Sequence, residues 1–332
     1  TPNAYGPRIS DPRSGEIIES HVGWYHNVMK LVQRWYMIQA GPLDPRARKM
    51  HLDDDLMGQL IRFVSSHEIG HTIGLRHNMG ASYATPVEKL RDKKWVEENG
   101  HTVSIMDYAR FNYVAQPEDN ISPQGIYPRI GMYDKWAVEW GYKYYPNAKD
   151  EFEEETILAK LTTDSLTANP KLWFGGEGKD EDPRSQSEDL GDDSVLASDY
   201  GIKNLKRVVP NLIQWTYQPN DAYDNLSDMH KAVVGQYSRY LYHVLKNIGN
   251  NYITKRTVDE KGVVYQPIPK AKVKAAIGYV GRQLFEAPLW MYPQEIEQLV
   301  PLKTAEQISD QQNQVLNMLL SSGMLYNISL KT

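Results

Sequence analysis

His67-Glu68-Ile69-Gly70-His71-Thr72-Ile73-Gly74-Leu75-Arg76-His77 holds three histidines and a glutamate at spacings that suit a single metal ion. On a helix, positions four apart share a face, so His67 and His71 can present their imidazoles to the same ion. Glu68 leaves the helix beside that ion, close enough to take a proton from a water there without being a ligand. Gly74 permits the positive φ with which a chain leaves a helix and turns back, which brings His77 to the same point. Three nitrogen ligands with one open position describe a catalytic zinc. A structural zinc has four protein ligands, and a chain with no cysteine cannot build a thiolate-rich one. Accident supplies H-E-x-x-H in on the order of one chain in a hundred of this length, and the full string in roughly a few per 100,000. A metal site is therefore preferred to histidines merely packed in a helix.

The flanks agree with a helix. Asp53, Asp54 and Asp55 place acid at its start, and Leu56, Leu60, Ile61, Val64, Ile69 and Ile73 keep helical spacing on a stripe expected to be buried. Upstream, Val28, Leu31, Val32, Trp35 and Ile38 predict a second helix with one buried face, ended by Gly41-Pro42. Residues 16–25 read as a strand, and His21 and His26, in or just after it, read as surface or rim histidines rather than ligands.

The string is the motif of the metzincin metallopeptidases, which adds a methionine in a tight turn beneath the metal. Ser104-Ile105-Met106-Asp107-Tyr108 resembles that element, 29 positions after His77. The resemblance assigns Met106 to an apolar floor under the histidines. In astacin-like and serralysin-like branches a tyrosine two residues later can approach the zinc, and Tyr108 matches that position; the resemblance implies a phenol that stabilises the developing oxyanion. The plainer alternative is a core or rim aromatic in a chain with 22 tyrosines. His77-Asn78, Asp11-Pro12-Arg13-Ser14-Gly15-Glu16-Ile17, Tyr133-Asp134-Lys135-Trp136-Ala137-Val138-Glu139-Trp140-Gly141-Tyr142 and Asp182-Pro183-Arg184-Ser185-Gln186-Ser187 are similar to the large bacterial zinc-dependent metallopeptidases called met-zincins. Membership implies a helix near 133–141 supporting the site from below, and export to the periplasm, cell surface or medium. Metzincins place about five strands ahead of the metal helix, and 66 residues that already include a helix leave room for part of that sheet. With Thr1-Pro2-Asn3 at its start, the chain is expected to be the C-terminal piece of a larger protein. The strands that remain would offer an edge for an extended peptide.

Composition sets the outer bounds. At 41% hydrophobic and 24% charged, 332 residues fold into one large or two ordinary domains. A net charge of −5 without a basic run argues against nucleic acid as a partner. No apolar run is long enough to span a membrane.

The second half reads as a helical bundle. Val233, Val234, Tyr237, Leu241, Val244, Leu245 and Ile248 form one amphipathic stripe; Val273, Ala276, Ile277, Val280 and Leu284 form another; and Thr304-Ala305-Glu306-Gln307 reads as a capping box. Gly175 to Asp193 carries Glu177, Asp180, Glu181, Asp182, Glu188, Asp189, Asp192 and Asp193. That oxygen density is of a kind calcium uses, but the spacing matches no EF-hand, and a solvated loop leading into a helix is preferred. The reading is thus α+β: a metzincin-like catalytic domain over 1–145 with a partial upper sheet, metal helix and Met-turn, then a mainly helical domain over 146–332. Its expected chemistry is zinc-dependent hydrolysis of peptide bonds in a protein or peptide substrate, with His67, His71 and His77 as ligands and Glu68 as base. Two alternatives stay open: a zinc hydrolase of non-peptide amides, and an idle binding or assembly module.

Overall fold

The computed structural model describes residues 4–178 and 181–331, so Thr1-Pro2-Asn3 and Asp180 lie outside the described residues. The chain opens with a two-stranded antiparallel ribbon in two pieces. β1 (Ala4–Tyr5), β2 (Arg8–Ser10), β3 (Ile17–Ser20) and β4 (Gly23–Trp24) pair β2 with β3 and β1 with β4, in the register Ile9↔Glu19 and Ala4↔Trp24. The single strand expected over 16–25 is therefore two short ones. Pro7 cannot donate to the ladder, and a long bond from His21 N–H to its carbonyl, 3.4 Å, bridges the gap. At Gly6 the ribbon touches the metal helix: a Cβ there would collide with the carbonyl of Glu68, so glycine is what allows the strand to cross so closely.

α1 (Val28–Ala40) and α2 (Asp54–Thr72) pack face to face around Val32, Tyr36, Leu56 and Leu60, with Phe111 and Ile126 closing the cluster. Along α2 the buried stripe continues from Leu56, Leu60 and Val64 into His67 and Glu68, so the packing face and the metal face are one. Ile69 and Ile73 do not belong to it; they are 53% and 36% exposed, one position off the stripe's angle. After the metal helix come a 3-10 turn at Val87–Leu90 and then α3 (Lys93–Asn99), which Asp92 caps by accepting from Trp95 N–H at 3.1 Å. α4 (Pro123–Ile126), α5 (Met132–Tyr142) and α6 (Glu151–Ala168) follow, the last with none of its residues buried.

Downstream come α7 (Ser194–Val208), α8 (Leu212–Trp215), α9 (Asp224–Leu245), the hairpin β5 (Asn251–Ile253) and β6 (Tyr265–Pro267), α10 (Lys270–Val280), α11 (Gln294–Glu297), α12 (Thr304–Leu319) and α13 (Ser322–Lys331). α10 runs on into a π-helical turn at Gly281–Phe285, which carries Leu284 into the core. Thr304 does not cap α12. Lys303 holds that place with a left-handed φ of 51°, and the Thr304 hydroxyl donates to Glu297 instead, at 2.8 Å. α7, α9 and α10 bury Leu205, Val233, Tyr237, Leu241 and Ala276 together with Met37 and Ile38 of α1 and Leu90 and Tyr113. Apolar packing thus runs continuously across position 145. Among the described residues no helix is long and apolar enough to cross a membrane.

Candidate metal centre

The end of α2 builds the site. The Leu75 N–H donates to the Gly70 carbonyl at 2.9 Å and Gly74 N–H to that of His71 at 3.0 Å, the six-to-one and five-to-two pair of a Schellman cap. Gly74 sits at the left-handed position this cap requires, with φ 100°. The chain reverses there and returns His77 to the face that already carries His67 and His71. Ring centroids of the three lie 4.6–5.2 Å apart.

Hydrogen bonding settles the tautomers. Nδ1 of His67 faces the Ile105 carbonyl at 2.8 Å, Nδ1 of His71 the Leu75 carbonyl at 2.9 Å, and Nδ1 of His77 a carboxylate oxygen of Glu177 at 2.7 Å. None of these oxygens can donate, so each Nδ1 carries the proton and each Nε2 a lone pair. The Nε2 of His67 is buried without a partner. Those of His71 and His77 stand 3.1 Å apart, two lone pairs that repel unless a cation lies between them. Tetrahedral zinc at its usual Zn–N length holds ligand nitrogens roughly 3.3 Å apart. Among the described residues this is the one group of three or more His, Asp or Glu able to hold a metal, with ligand atoms within 4.8 Å of one another. The donor set fits zinc.

The profile of the family described as Met-zincin matches residues 49–331. The chain belongs to the Met-zincin family. No curated protein and no solved structure matches it. The family is one of zinc-dependent metallopeptidases, and its match in this Met-zincin covers the histidine string and most of the helical region alike.

Met106 packs against the metal helix at Gly70. It is fully buried, and a Cβ added at Gly70 on α2 would collide with its sulfur, so Gly70 and Met106 seat each other. The turn around it is held from α5. Asp134 accepts from the Ser104 hydroxyl at 2.6 Å, from Ile105 N–H at 2.7 Å and from Gly131 N–H at 2.7 Å. Ile105 in turn offers its carbonyl to His67. At the other end of α5 the Tyr142 hydroxyl donates to the Ile73 carbonyl at 2.8 Å, so the helix is strapped to the site at both ends. Removing the Asp134 carboxylate leaves three donors without an acceptor, two of them buried. Asp134→Ala is expected to cost on the order of 3 kcal/mol, read as a lowered urea midpoint.

Glu68 is 7% exposed, and burial pushes its carboxyl up to about 7. Burial likewise takes His67 down to about 3, which keeps the ring neutral and able to ligate. Tyr108 packs its ring 4.6 Å from that of His77 and 5.2 Å from that of His67. Burial, then the Glu68 charge, raises its phenol. Beside these groups a cavity of ≈ 270 Å³ opens between α1 and α2, lined by Val28, Leu31, Trp35 and Phe63 together with His67, Glu68, Tyr108 and Arg110. His21 and His26 are exposed and take no part.

Among the described acids of the stretch before α7, Glu181 and Asp192 are exposed, but most of the others are paired within the protein, and nothing in their arrangement supports calcium. Glu177 bonds His77, Asp182 accepts from Arg184 and from Ile253 N–H, Glu188 pairs with Arg110 and Arg239 while almost fully buried, and Asp193 caps α7. The oxygens of these four acids are committed within the protein, which ties the described part of the loop to the rest of the fold. Glu177 and Asp134 escaped the sequence reading; only the glycines around Glu177 hinted that an acid there is set by the backbone.

Asp107, between Met106 and Tyr108, is fully buried and faces Ser82, Thr102 and two further buried acids, Asp189 and Asp134. Burial lifts its carboxyl from 3.8 to about 7, opposed by bonds from Ser82 and Thr102. A raised folded value means that its contribution to stability is full below 3.8 and is lost as pH rises through about 7. Asp107→Asn is therefore expected to gain stability over the wild type at pH 8, by up to ~4 kcal/mol, and to gain none at pH 4; urea midpoints at the two values check it.

Proposed function

We propose that this Met-zincin is an endopeptidase that hydrolyses peptide bonds with water as nucleophile and Glu68 as general base. The observation that carries the reading is the convergence of three Nε2 lone pairs beside a buried carboxyl on the same helix face. His67, His71 and His77 would hold the zinc, which when bound polarises the scissile carbonyl and acidifies water. Glu68 takes the proton of the attacking water and returns it to the leaving amine, so no residue of the chain is acylated. Its carboxyl, poised near neutrality, suits both transfers. Tyr108 donates its phenolic proton in a hydrogen bond to the carbonyl oxygen as charge develops there. The ribbon beside α2 offers main-chain groups to an extended substrate, and the cavity at Glu68 takes one large apolar side chain.

The reading is tested by zinc stoichiometry and an unbiased peptide library on the full chain. One zinc per chain and internal cleavage next to large apolar residues are expected. Release of acyl groups from acylated amino sugars with no peptide cleaved would replace it by hydrolysis of other amides, and one zinc with neither activity would favour a binding module. Tyr108→Phe is expected to lower kcat about 10- to 100-fold with KM little changed, since its hydrogen bond forms in the transition state alone.

A further inference from the structure

The three imidazoles are not supported alike. His67 and His71 donate to neutral main-chain carbonyls that the adjoining turn and helix cap place by themselves, whereas His77 donates to a carboxylate that arrives from a hundred positions downstream. The second oxygen of Glu177 is held by Arg76 Nε at 3.3 Å. Glycines at positive φ, Gly176 and Gly178, flank it.

The loop that brings Glu177 is bonded to the residues that directly follow His77. Met79 N–H donates to the Gly176 carbonyl at 2.9 Å, Gly175 N–H to the side-chain oxygen of Asn78 at 2.8 Å, and the Asn78 amide to the Trp173 carbonyl at 3.0 Å. Gln186 N–H closes the other side on the Met79 carbonyl at 3.1 Å. Gly80 and Gly175 meet backbone to backbone, where a Cβ at Gly175 would stand 2.6 Å from the Cα of Gly80. Ligand and acceptor are thus carried by one interlocked unit, and the geometry between them is built rather than incidental.

We infer that Glu177 is the positioning residue of the third zinc ligand, an inference that rests on the zinc reading above. A carboxylate acceptor fixes the His77 proton on Nδ1, aims Nε2 at the ion, and gives that ring more electron density to share than a carbonyl does. It also places one negative charge next to the dication, which three neutral imidazoles do not compensate. The downstream helical region therefore supplies part of the metal centre.

The experiment measures zinc affinity of the full-length, metal-free chain by competition with a chromophoric chelator, alongside its thermal midpoint without metal and its visible spectrum with Co(II). Glu177→Ala is expected to bind zinc about 10- to 100-fold more weakly and to alter the Co(II) bands, with the metal-free midpoint unchanged. Glu177→Gln, which keeps an acceptor oxygen and loses the charge, should fall between it and the wild type. Zinc affinity within twofold of wild type in Glu177→Ala overturns the inference, as does a loss that follows an equal fall of the metal-free midpoint in both variants. A wild-type chain that takes up no zinc overturns the metal centre itself, a result distinct from either.

Discussion

Glu68→Ala is expected to retain one zinc per chain and to lose turnover by about 10²- to 10⁴-fold, the usual contribution of a positioned general base. Zinc retention follows because the converging ligand atoms belong to His67, His71 and His77 and not to Glu68. Loss of turnover follows because no other carboxylate among the described residues shares its place: Glu177 is bonded to His77, Asp107 and Asp134 are bonded to Ser82 and Ser104 in the buried network around the Met106 turn, and Glu188 is paired with two arginines. Glu68→Gln serves as the isosteric control. It keeps the side-chain volume in the cavity wall and removes the proton acceptor, so it should lose as much as the alanine. Kinetics of both variants at equal zinc content are the measurement. Turnover comparable to wild type in either, with zinc bound, would move the base to another residue. A fall in kcat of this size is about 3–5 kcal/mol of transition-state stabilisation.

The metal helix was open to inspection because its signal is local. A helix places i and i+4 side chains together whatever surrounds it, and a glycine before a third ligand announces the reversal seen at Gly74. Amphipathic spacing similarly located α1, α9 and α10, while α5 was implied by the family resemblance, although Ile69 and Ile73 show that a stripe counted along a sequence drifts off the buried face near a helix end. What the sequence hid is long-range. The ribbon strands are two to four residues each, with a proline between β1 and β2, and neither hydrophobic alternation nor length distinguishes such pieces from loop. The acidic segment was misread for the opposite reason. Its carboxylates look solvated until Arg110, Arg184, Arg239 and His77 are known to meet them, and those partners lie 2 to 100 positions away. Charge composition cannot tell a free acid from a buried paired one; only the fold supplies the partner.

The ligand itself is expected to matter more than its support. His71→Ala should weaken zinc by roughly 10²- to 10³-fold, since apparent binding of about 10–16 kcal/mol at four-ligand peptide sites assigns roughly 3–4 kcal/mol to each ligand. In the metal-free chain the same substitution should be mild. It forfeits one hydrogen bond to the Leu75 carbonyl but removes a lone pair held 3.1 Å from that of His77, so the metal-free midpoint is expected to stay near wild type. Zinc at a thousand times the wild-type Kd adds about 4 kcal/mol to the folded wild type and should add only ~0.4–1.4 kcal/mol to the variant. Thermal scans with and without zinc, together with metal analysis of the purified protein, read both quantities. The order of zinc affinity is then wild type, Glu177→Ala, His71→Ala, with Glu68→Ala beside the wild type. If His71→Ala kept its zinc while Glu177→Ala lost it, the ion would sit between His77 and the downstream loop, and the assignment of His71 as a ligand would fall.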